Sequence, residues 1–531
     1  MPDAQPWHPP DAPPDPRLPV PVWPFGPFQA LTLQVHELTV HGRNSEALDL
    51  ADRLEHVVDL LGDTRSVGMV RQGRLYALIS LGRLHEALEE GERLLQMHRT
   101  SGARTGEAKT LADTAEILIK LGLLDEGLHR LANATRLLES IPRGNPRYIS
   151  AMSSVSEAAR AAELYELADE VSAFAVESFT PGTDQRAAAE LQRAELLLEW
   201  GLRLEHVGLV EEANVRFARS VGLVRYWVQN HFHDAPLATV LYALGLVKIG
   251  AVEEALTLAG SLIVPLRDNG HEHEARLAHL AYGIALRCSG RLREARREFL
   301  AADELAPLSP QRLIFQYELA LLAAAEQPGD STGALLNAVR AHARHLWRLR
   351  LERRSMLHQA RRRVELEAAR ASADRDAAQD ALTGLGNRRQ FDRQLDGITD
   401  VAGSAVLLLV DIDRFKGIND HFSHIVGDRV LREIAAVLRA HCRPEDVAVR
   451  LGGDEFALFL HTDLPTAARI GERIRDVVTG RDWNQVAFGL RVTLSIGVAA
   501  LHDGMDGREL YDRADRNLYV AKRGGRDRVA A

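Results

Sequence analysis

Two carboxylates, Asp454 and Glu455, follow a glycine pair in Arg450-Leu451-Gly452-Gly453-Asp454-Glu455-Phe456. Val447–Arg450 before them and Phe456–Leu460 after them have strand composition, so the pattern predicts a β-hairpin with the acids at its tip. Gly-Gly tolerates φ > 0 and has no Cβ, so a bulky ligand can approach the backbone. Adjacent carboxylates repel each other, and beside a phosphate site they become a place for a divalent cation. A second acidic group closes the continuous apolar run Ala405–Val410, which reads as a buried strand. That run ends in Asp411-Ile412-Asp413-Arg414-Phe415-Lys416, with Asn419-Asp420 and Gly427-Asp428 behind it. Asp411 and Asp454 can share a cation if their strands are neighbours. Hard oxygen ligands without Cys or His point to Mg²⁺ or Mn²⁺, an ion that expects substrate phosphates to complete its shell. Lys416 lies one turn on and could neutralise those phosphates. No Gly-x-x-x-x-Gly-Lys-Ser/Thr loop occurs, which excludes a P-loop NTPase.

The elements that must position these groups occupy 380–531. After Asp380-Ala-Leu-Thr-Gly-Leu-Gly-Asn-Arg-Arg389 and the 405–410 strand, the pattern predicts a helix from about Asp428 to His441. The hairpin follows, then a helix near 464–478, a strand over 491–500 and a last helix over 508–522. Together Asp411-x-Asp413-x-Phe415-Lys416-x-x-Asn419-Asp420, Gly427-Asp428, Gly452–Phe456, Ser495-Ile-Gly-Val-Ala499 and Ala514-Asp515…Tyr519-x-Ala-Lys522-x-x-Gly-Gly-Arg526-Asp527 resemble the GGDEF diguanylate cyclase family. The resemblance implies a ferredoxin-like βαββαβ palm, an α+β domain related to nucleotidyl cyclases. It also implies condensation of two GTP into cyclic di-GMP with release of two pyrophosphates.

By position, the resemblance makes Asp411, the Ile412 carbonyl, Asp454 and Glu455 holders of two Mg²⁺ (or Mn²⁺) per active site. Asp454 would be the base for the ribose 3′-hydroxyl, assisted by Glu455 and Lys416. Asn419 and Asp428 would read guanine, and Lys416, Lys522 and Arg526 would meet the nucleotide's phosphates. The backbone at Arg414 and Phe415 would cradle them. Arg443-Pro-Glu-Asp446 matches the spacing of an inhibitory site for the cyclic di-GMP product, with Arg473 as its second arginine; a surface ion pair is the plain alternative. Each domain would hold one GTP, so a homodimer is implied. Ser423 stands where the family usually has glycine, and Gly386 where it has a larger residue. A catalytically silent nucleotide receptor, or a scaffold whose repeats dominate, are the competing readings. The presence of Asp411, Asp454 and Glu455 together favours the enzyme.

The rest of the chain is expected to control that domain. Residues 1–28 hold eleven prolines before position 28, which prevents helix and central strand and predicts a disordered tail. Over 29–328 a pattern recurs: a small residue, three variable ones, Glu, then a small residue. It starts at Gly42, Gly82, Gly122, Gly208, Gly250 and Gly290, with a degenerate copy at Glu163, so starts lie 40, 40, 41, 45, 42 and 40 residues apart. A fixed period of this kind predicts an all-α solenoid, and the motif resembles the helix junction of tetratricopeptide repeats, whose usual period is shorter at about 34. Such a domain would take a protein or peptide ligand, or serve as a scaffold or dimerisation arm. Glu-Ala-Leu at Glu46, Glu86 and Glu254 falls on the repeat's own period and is no sign of a phosphodiesterase domain. Residues 329–379 predict a long signalling helix with eleven Arg against four acids between Arg340 and Arg375, read as a solvated face rather than a nucleic-acid surface. Leu357, Val364, Ala371 and Ala378 fall seven apart, as one coiled-coil position would; Arg353, Ala360, Glu367 and Asp374 make a poor second position. A net charge of −9 over 531 residues names no partner. Cys288 and Cys442, far apart, argue against a disulfide framework, and no apolar run or secretory pattern is present, so a cytoplasmic protein without membrane contact is expected.

Overall fold

The computed structural model describes residues 29–531 apart from 41, 61–62, 144–145, 231–235, 269–270, 306–308, 401–404 and 503. The proline-rich tail lies outside the described residues. The chain divides into two compact units, Met1–Glu365 and Leu366–Ala531.

The first unit is helical throughout its described residues, with fifteen α-helices between Gln29 and Glu326. Every repeat start adopts a left-handed backbone: φ is 74° at Gly42, 71° at Gly82, 84° at Gly122, 93° at Gly208, 92° at Gly250 and 75° at Gly290. The small residue five positions on is where the next helix meets its neighbour. Ala47, Ala87, Ala168, Ala213, Ala255 and Ala295 are fully buried. Glu163 keeps the turn at φ 56° without being glycine. Its carboxylate accepts from Arg203 at 3.1 Å and from Arg353 at 2.7 Å, which offers an opposing stabilisation for a strained residue.

The long helix runs Asp330–Asp376. Its stretch up to residue 365 is not wholly solvated, which corrects the expectation from its arginine content. Arg350 is 2% exposed and donates to the Glu163 carbonyl at 2.9 Å and to the Glu166 carboxylate. Leu357 and Val364 join the solenoid's main hydrophobic cluster. Compositional reading missed this because the partners lie almost two hundred residues earlier.

The second unit contains α1 (Arg388–Asp396), β1 (Ala405–Ile412), α2 (Phe415–Phe422), α3 (His424–Ala440), β2 (Val447–Gly452), β3 (Glu455–His461), α4 (Leu464–Thr479), β4 (Leu494–Ala500), α5 (Gly507–Arg523) and β5 (Arg528–Ala530). The sheet order is β2-β3-β1-β4-β5. β1 sits centrally, antiparallel to β3 and β4, and β2 is antiparallel to β3. This is the expected βαββαβ core. β5 is an addition: three residues parallel to β4, reached through α5. β1 is apolar on both faces because both are covered. Leu408, Val410 and Ile412 face one core cluster with α2, α3 and α4, while Leu407 and Leu409 face another with Phe391 and α5. α3 begins at His424, four residues before the sequence-based estimate, because the chain turns at Ser423. β4 begins at Leu494 rather than at 491, and the Asp413 N–H bonds the Thr493 carbonyl just ahead of it at 3.0 Å.

Candidate active site

The register of β1 and β3 pairs Val410 with Phe456 and Asp411 with Glu455. Strand pairing therefore carries the strand-end acid to the hairpin acids, and the Ile412 N–H bonds the Asp454 carbonyl at 3.3 Å. The hairpin tip itself is shaped by Arg450. Its guanidinium donates to the Gly453 carbonyl at 3.0 and 2.7 Å and reaches Asp380 at 3.2 Å. Gly452 and Gly453 take φ of 149° and 54°, as the turn requires. Sequence reasoning assigns Arg450 and Asp380 no role; their opposite charges, each at the start of a motif, are the available signal.

Burial pushes the Asp411 carboxyl up to about 6; Lys522 opposes the rise, and the negative charges of Asp454 and Glu455 add to it. Lys522 lies on α5 and pairs with Asp411 at 2.6 Å. An expected metal ligand and an expected phosphate contact thus meet directly. Among the described residues, no group of three or more His, Cys, Asp or Glu side chains forms a ready metal cage. The donor set nonetheless suits a hard cation. Mutually repelling carboxylates converge beside a backbone carbonyl, few enough that phosphates would finish the shell.

Asp413 has a different task. It is buried, accepts from Ser495 at 2.6 Å and Thr493 at 2.7 Å, and receives the Asp527 N–H at 3.0 Å. These bonds come from Thr493 and Ser495 at the entry to β4 and from the segment before β5, so Asp413 anchors the end of β1.

Arg414, at φ 56°, turns the chain from β1 into α2, and no side chain caps the first N–H groups of that helix. Free helix N–H groups of this kind suit phosphate. Phe415 packs inside, while Lys416 is exposed. Asn419 on α2 presses against α3: a Cβ at Gly427 would stand 2.0 Å from the Asn419 Oδ1. The absence of that Cβ lets Asn419 lie beside the start of α3, where Asp428 follows. Ser423 joins the two helices at φ 118°, ψ 159°. Its N–H bonds the Asn419 carbonyl and its carbonyl accepts the Gly427 N–H, each at 3.1 Å. Gly386 likewise links to the site's scaffold, its carbonyl accepting the Arg450 N–H at 2.7 Å. Arg526 is exposed, at φ 64° in the turn before β5.

Arg443 and Asp446 share the turn before β2. The Asp446 carboxylate accepts the N–H of Arg443 and that of His461, both at 2.9 Å. Its orientation is therefore fixed by backbone, with lone pairs remaining. The Arg443 and Arg473 side chains are exposed.

A ferredoxin-like sheet with a carboxylate cluster at the β1/β3 end, flanked by an uncapped helix start, offers oxygen donors to a hard cation beside N–H groups that suit an anion. Residues 377–528 match the family model described as "Diguanylate cyclase, GGDEF domain", and the chain belongs to that GGDEF family through these residues. Response regulator PleD of Caulobacter vibrioides is 47% identical over 162 residues, 29% of this chain and 36% of PleD. Diguanylate cyclase DgcS of Shewanella oneidensis is 38% identical over 153 residues, 28% of this chain and 50% of DgcS. The chain thus spans half or less of the length of these curated relatives. The solved coiled coil and GGDEF domain of DgcB from Caulobacter crescentus, in complex with c-di-GMP, is 35% identical. It covers 34% of this chain and 98% of that chain, with a TM-score of 0.32.

Proposed function

We propose that this chain is a diguanylate cyclase: it condenses two GTP into cyclic di-GMP, regulated by its helical repeats and by its product. The observation that carries this reading is the β1–β3 register, which brings Asp411 to the Asp454–Glu455 hairpin in the domain that also joins Asn419 to the Gly427-Asp428 turn. In each of two equivalent steps, a ribose 3′-oxygen bonds to the α-phosphorus of the other GTP. The α–β bridging P–O bond breaks, pyrophosphate leaves and Asp454 receives the hydroxyl proton. Asp411, the Ile412 carbonyl, Asp454 and Glu455 are the residues that would hold two Mg²⁺ (or Mn²⁺). The ions would supply phosphate neutralisation and a more acidic 3′-hydroxyl.

Asn419 and Asp428 bind guanine, the amide toward its acceptor edge and the carboxylate toward its N1 and N2 donors. Lys416, Lys522 and Arg526 offset charge developing on the triphosphate. The first N–H groups of α2 orient the phosphates. Each domain binds one GTP, so the active species is a homodimer with two domains face to face. Product held by Arg443, Asp446 and Arg473 limits turnover; Arg forks to guanine and phosphate, and Asp accepts from guanine. The domains are a repeat region over 29–328, a linker helix over 329–379 and a cyclase domain over 380–531.

Incubating the purified chain with GTP and Mg²⁺ and separating the nucleotides tests the reading. Cyclic di-GMP and pyrophosphate in a 1:2 ratio are expected. Bound GTP with no product, both in the full chain and in residues 330–531, would overturn it in favour of a silent receptor.

A further inference from the structure

The linker helix carries two positions of a heptad through its solenoid-side half. Ala343, Arg350, Leu357 and Val364 occupy one, each no more than 7% exposed. Leu346, Arg353 and Ala360 occupy the other. Both positions face the helical repeats. Ala343, Leu346 and Trp347 close a cleft against Glu163, Tyr165, Arg203, His206 and Val207. Arg350 bonds the Glu163 carbonyl and the Glu166 carboxylate, and its guanidinium lies 4.2 Å from the Trp347 ring centroid. Arg353 bonds the Ala162 carbonyl at 3.2 Å and the Glu163 carboxylate at 2.7 Å. Arg354 stands 3.6 Å from Glu166. Leu357, Val364 and Ala360 pack with the solenoid's main core cluster.

The spacing has a physical cause. Seven helical residues rise about 10.5 Å, close to the ~8–10 Å between packed helix axes. Along the helix, residues 343–347 span the cleft between the turns at His206–Val207 and Glu163, and Arg350 bonds the Glu163 turn itself. Glu163 is the one repeat start among the seven that is not glycine, and its carboxylate is what Arg353 binds.

A two-stranded coiled coil would use the same two heptad positions. We propose that the solenoid masks the linker helix's dimerisation seam in cis, so that docking on the repeats and pairing with a second copy of the helix exclude each other. The Arg350/Arg353/Arg354–Glu163/Glu166 clamp is the lock. Arg350 and Arg353 select between the two states. On the solenoid they find carboxylates and carbonyls; in a parallel pair each would face its own copy, where like charge and desolvation oppose association. The docked state is the resting one, and an agent that occupies Glu163 and Glu166, or moves that repeat turn, frees the seam. The inference rests on the proposed face-to-face condensation for its consequence in catalysis, though not for the masking itself.

The test uses the full chain with Glu166→Arg, which breaks the clamp and leaves the helix sequence intact, and with Glu166→Arg combined with Arg350→Leu and Arg353→Leu, which also removes the like charges from the seam. Amide exchange over 343–364 and the dimer dissociation constant by sedimentation are measured for both, with circular dichroism confirming retained helix content. Exchange at least tenfold faster in E166R, with dimerisation tightening at least tenfold from wild type to the triple variant, is expected. Unchanged exchange in E166R would show that the clamp does not hold the helix. Faster exchange with wild-type association in the triple variant would show that the seam is not a dimer surface; either result overturns the proposal. Tighter dimers that make no cyclic di-GMP would support masking and count against the cyclase reading.

Discussion

Replacing Ser423 with glycine is expected to stabilise the C-terminal unit, although it removes a side chain. Ser423 sits at φ 118°, ψ 159°, a region that only glycine enters without strain. Holding an L-residue there costs about 1–3 kcal/mol. Glycine loses more backbone freedom on folding, which returns roughly 0.5–1 kcal/mol of that. The net gain is therefore about 1 kcal/mol. For a unit of this size it corresponds to ~2–4 °C in Tm, and to about 0.5 M in urea midpoint at an m-value near 2 kcal/mol/M. The assay is urea unfolding of residues 366–531, which hold their own core clusters, followed by fluorescence of the buried Trp483. Ser423→Ala is the control. It keeps the Cβ and loses the hydroxyl, so its midpoint should stay at or below that of the parent. Because Ser423 touches Asn419 and Gly427 through backbone atoms alone, GTP affinity should be preserved in the glycine variant. A midpoint for S423G no higher than that of S423A would refute the strain argument.

Four further outcomes are expected. Asp454→Ala should abolish cyclic di-GMP formation with the circular dichroism spectrum unchanged; turnover near wild type, read by nucleotide chromatography, would dismiss its role. Arg450→Ala should lower kcat tenfold or more by releasing the Gly453 carbonyl, and Arg450→Lys should not restore it, because a single ammonium cannot reproduce the fork to Gly453 and Asp380. Arg443→Ala should raise the product concentration that halves turnover about tenfold without altering initial rates, checked by adding cyclic di-GMP to the assay. Burial raises the Glu157 carboxyl to about 7, against the opposing charge of Arg160, so its folded pKa lies above its unfolded one. The cost is absent at low pH and is fully present once pH exceeds about 7. With 39% of the side chain exposed, solvent screening leaves roughly 1 kcal/mol, so Glu157→Gln should raise Tm at pH 8 and leave it unchanged near pH 4.

The sequence made the repeat turns legible because one constraint dominated each. A left-handed backbone demands glycine, and the demand recurs with the period. Glu163 shows the limit of that logic. As a sequence feature it is a degenerate glycine; in the fold it is a carboxylate held between Arg203 and Arg353. The palm was legible through the family resemblance that the motifs carry; the apolar run of β1 by itself announces a buried strand and not the strand order. β5 was not, because three residues after a glycine pair carry no periodic signal. Asp411 and Asp413 look alike in the string, yet only register separates them: Asp411 lies opposite Glu455 and beside Lys522, whereas Asp413 is satisfied by Thr493, Ser495 and the Asp527 N–H. The linker helix was misread where composition replaced geometry. Arg344, Arg348 and Arg361 are exposed as that reading expects, whereas Arg350 and Arg353 find partners too distant in sequence for composition to reveal.

The charge balance at the β1/β3 end gives the proposed chemistry a reason to need a cation from outside. Asp411, Asp454 and Glu455 would repel the polyanionic substrate proposed for them, and the Asp411–Lys522 pair at 2.6 Å neutralises only one of the three. Lys522 cannot serve Asp411 and a phosphate at full strength together, so a nucleotide that took the lysine would leave Asp411 with less compensation in a buried setting that already raises its pKa. A triphosphate arriving alone would thus be repelled by the carboxylates meant to act on it. On the proposed reading, divalent cations bound with the nucleotide would take those carboxylates as ligands and leave Lys522 for the phosphates. The same residues would then disfavour a bare nucleotide and favour a metal-bound one, a preference that strand register and burial would impose before any contact with guanine.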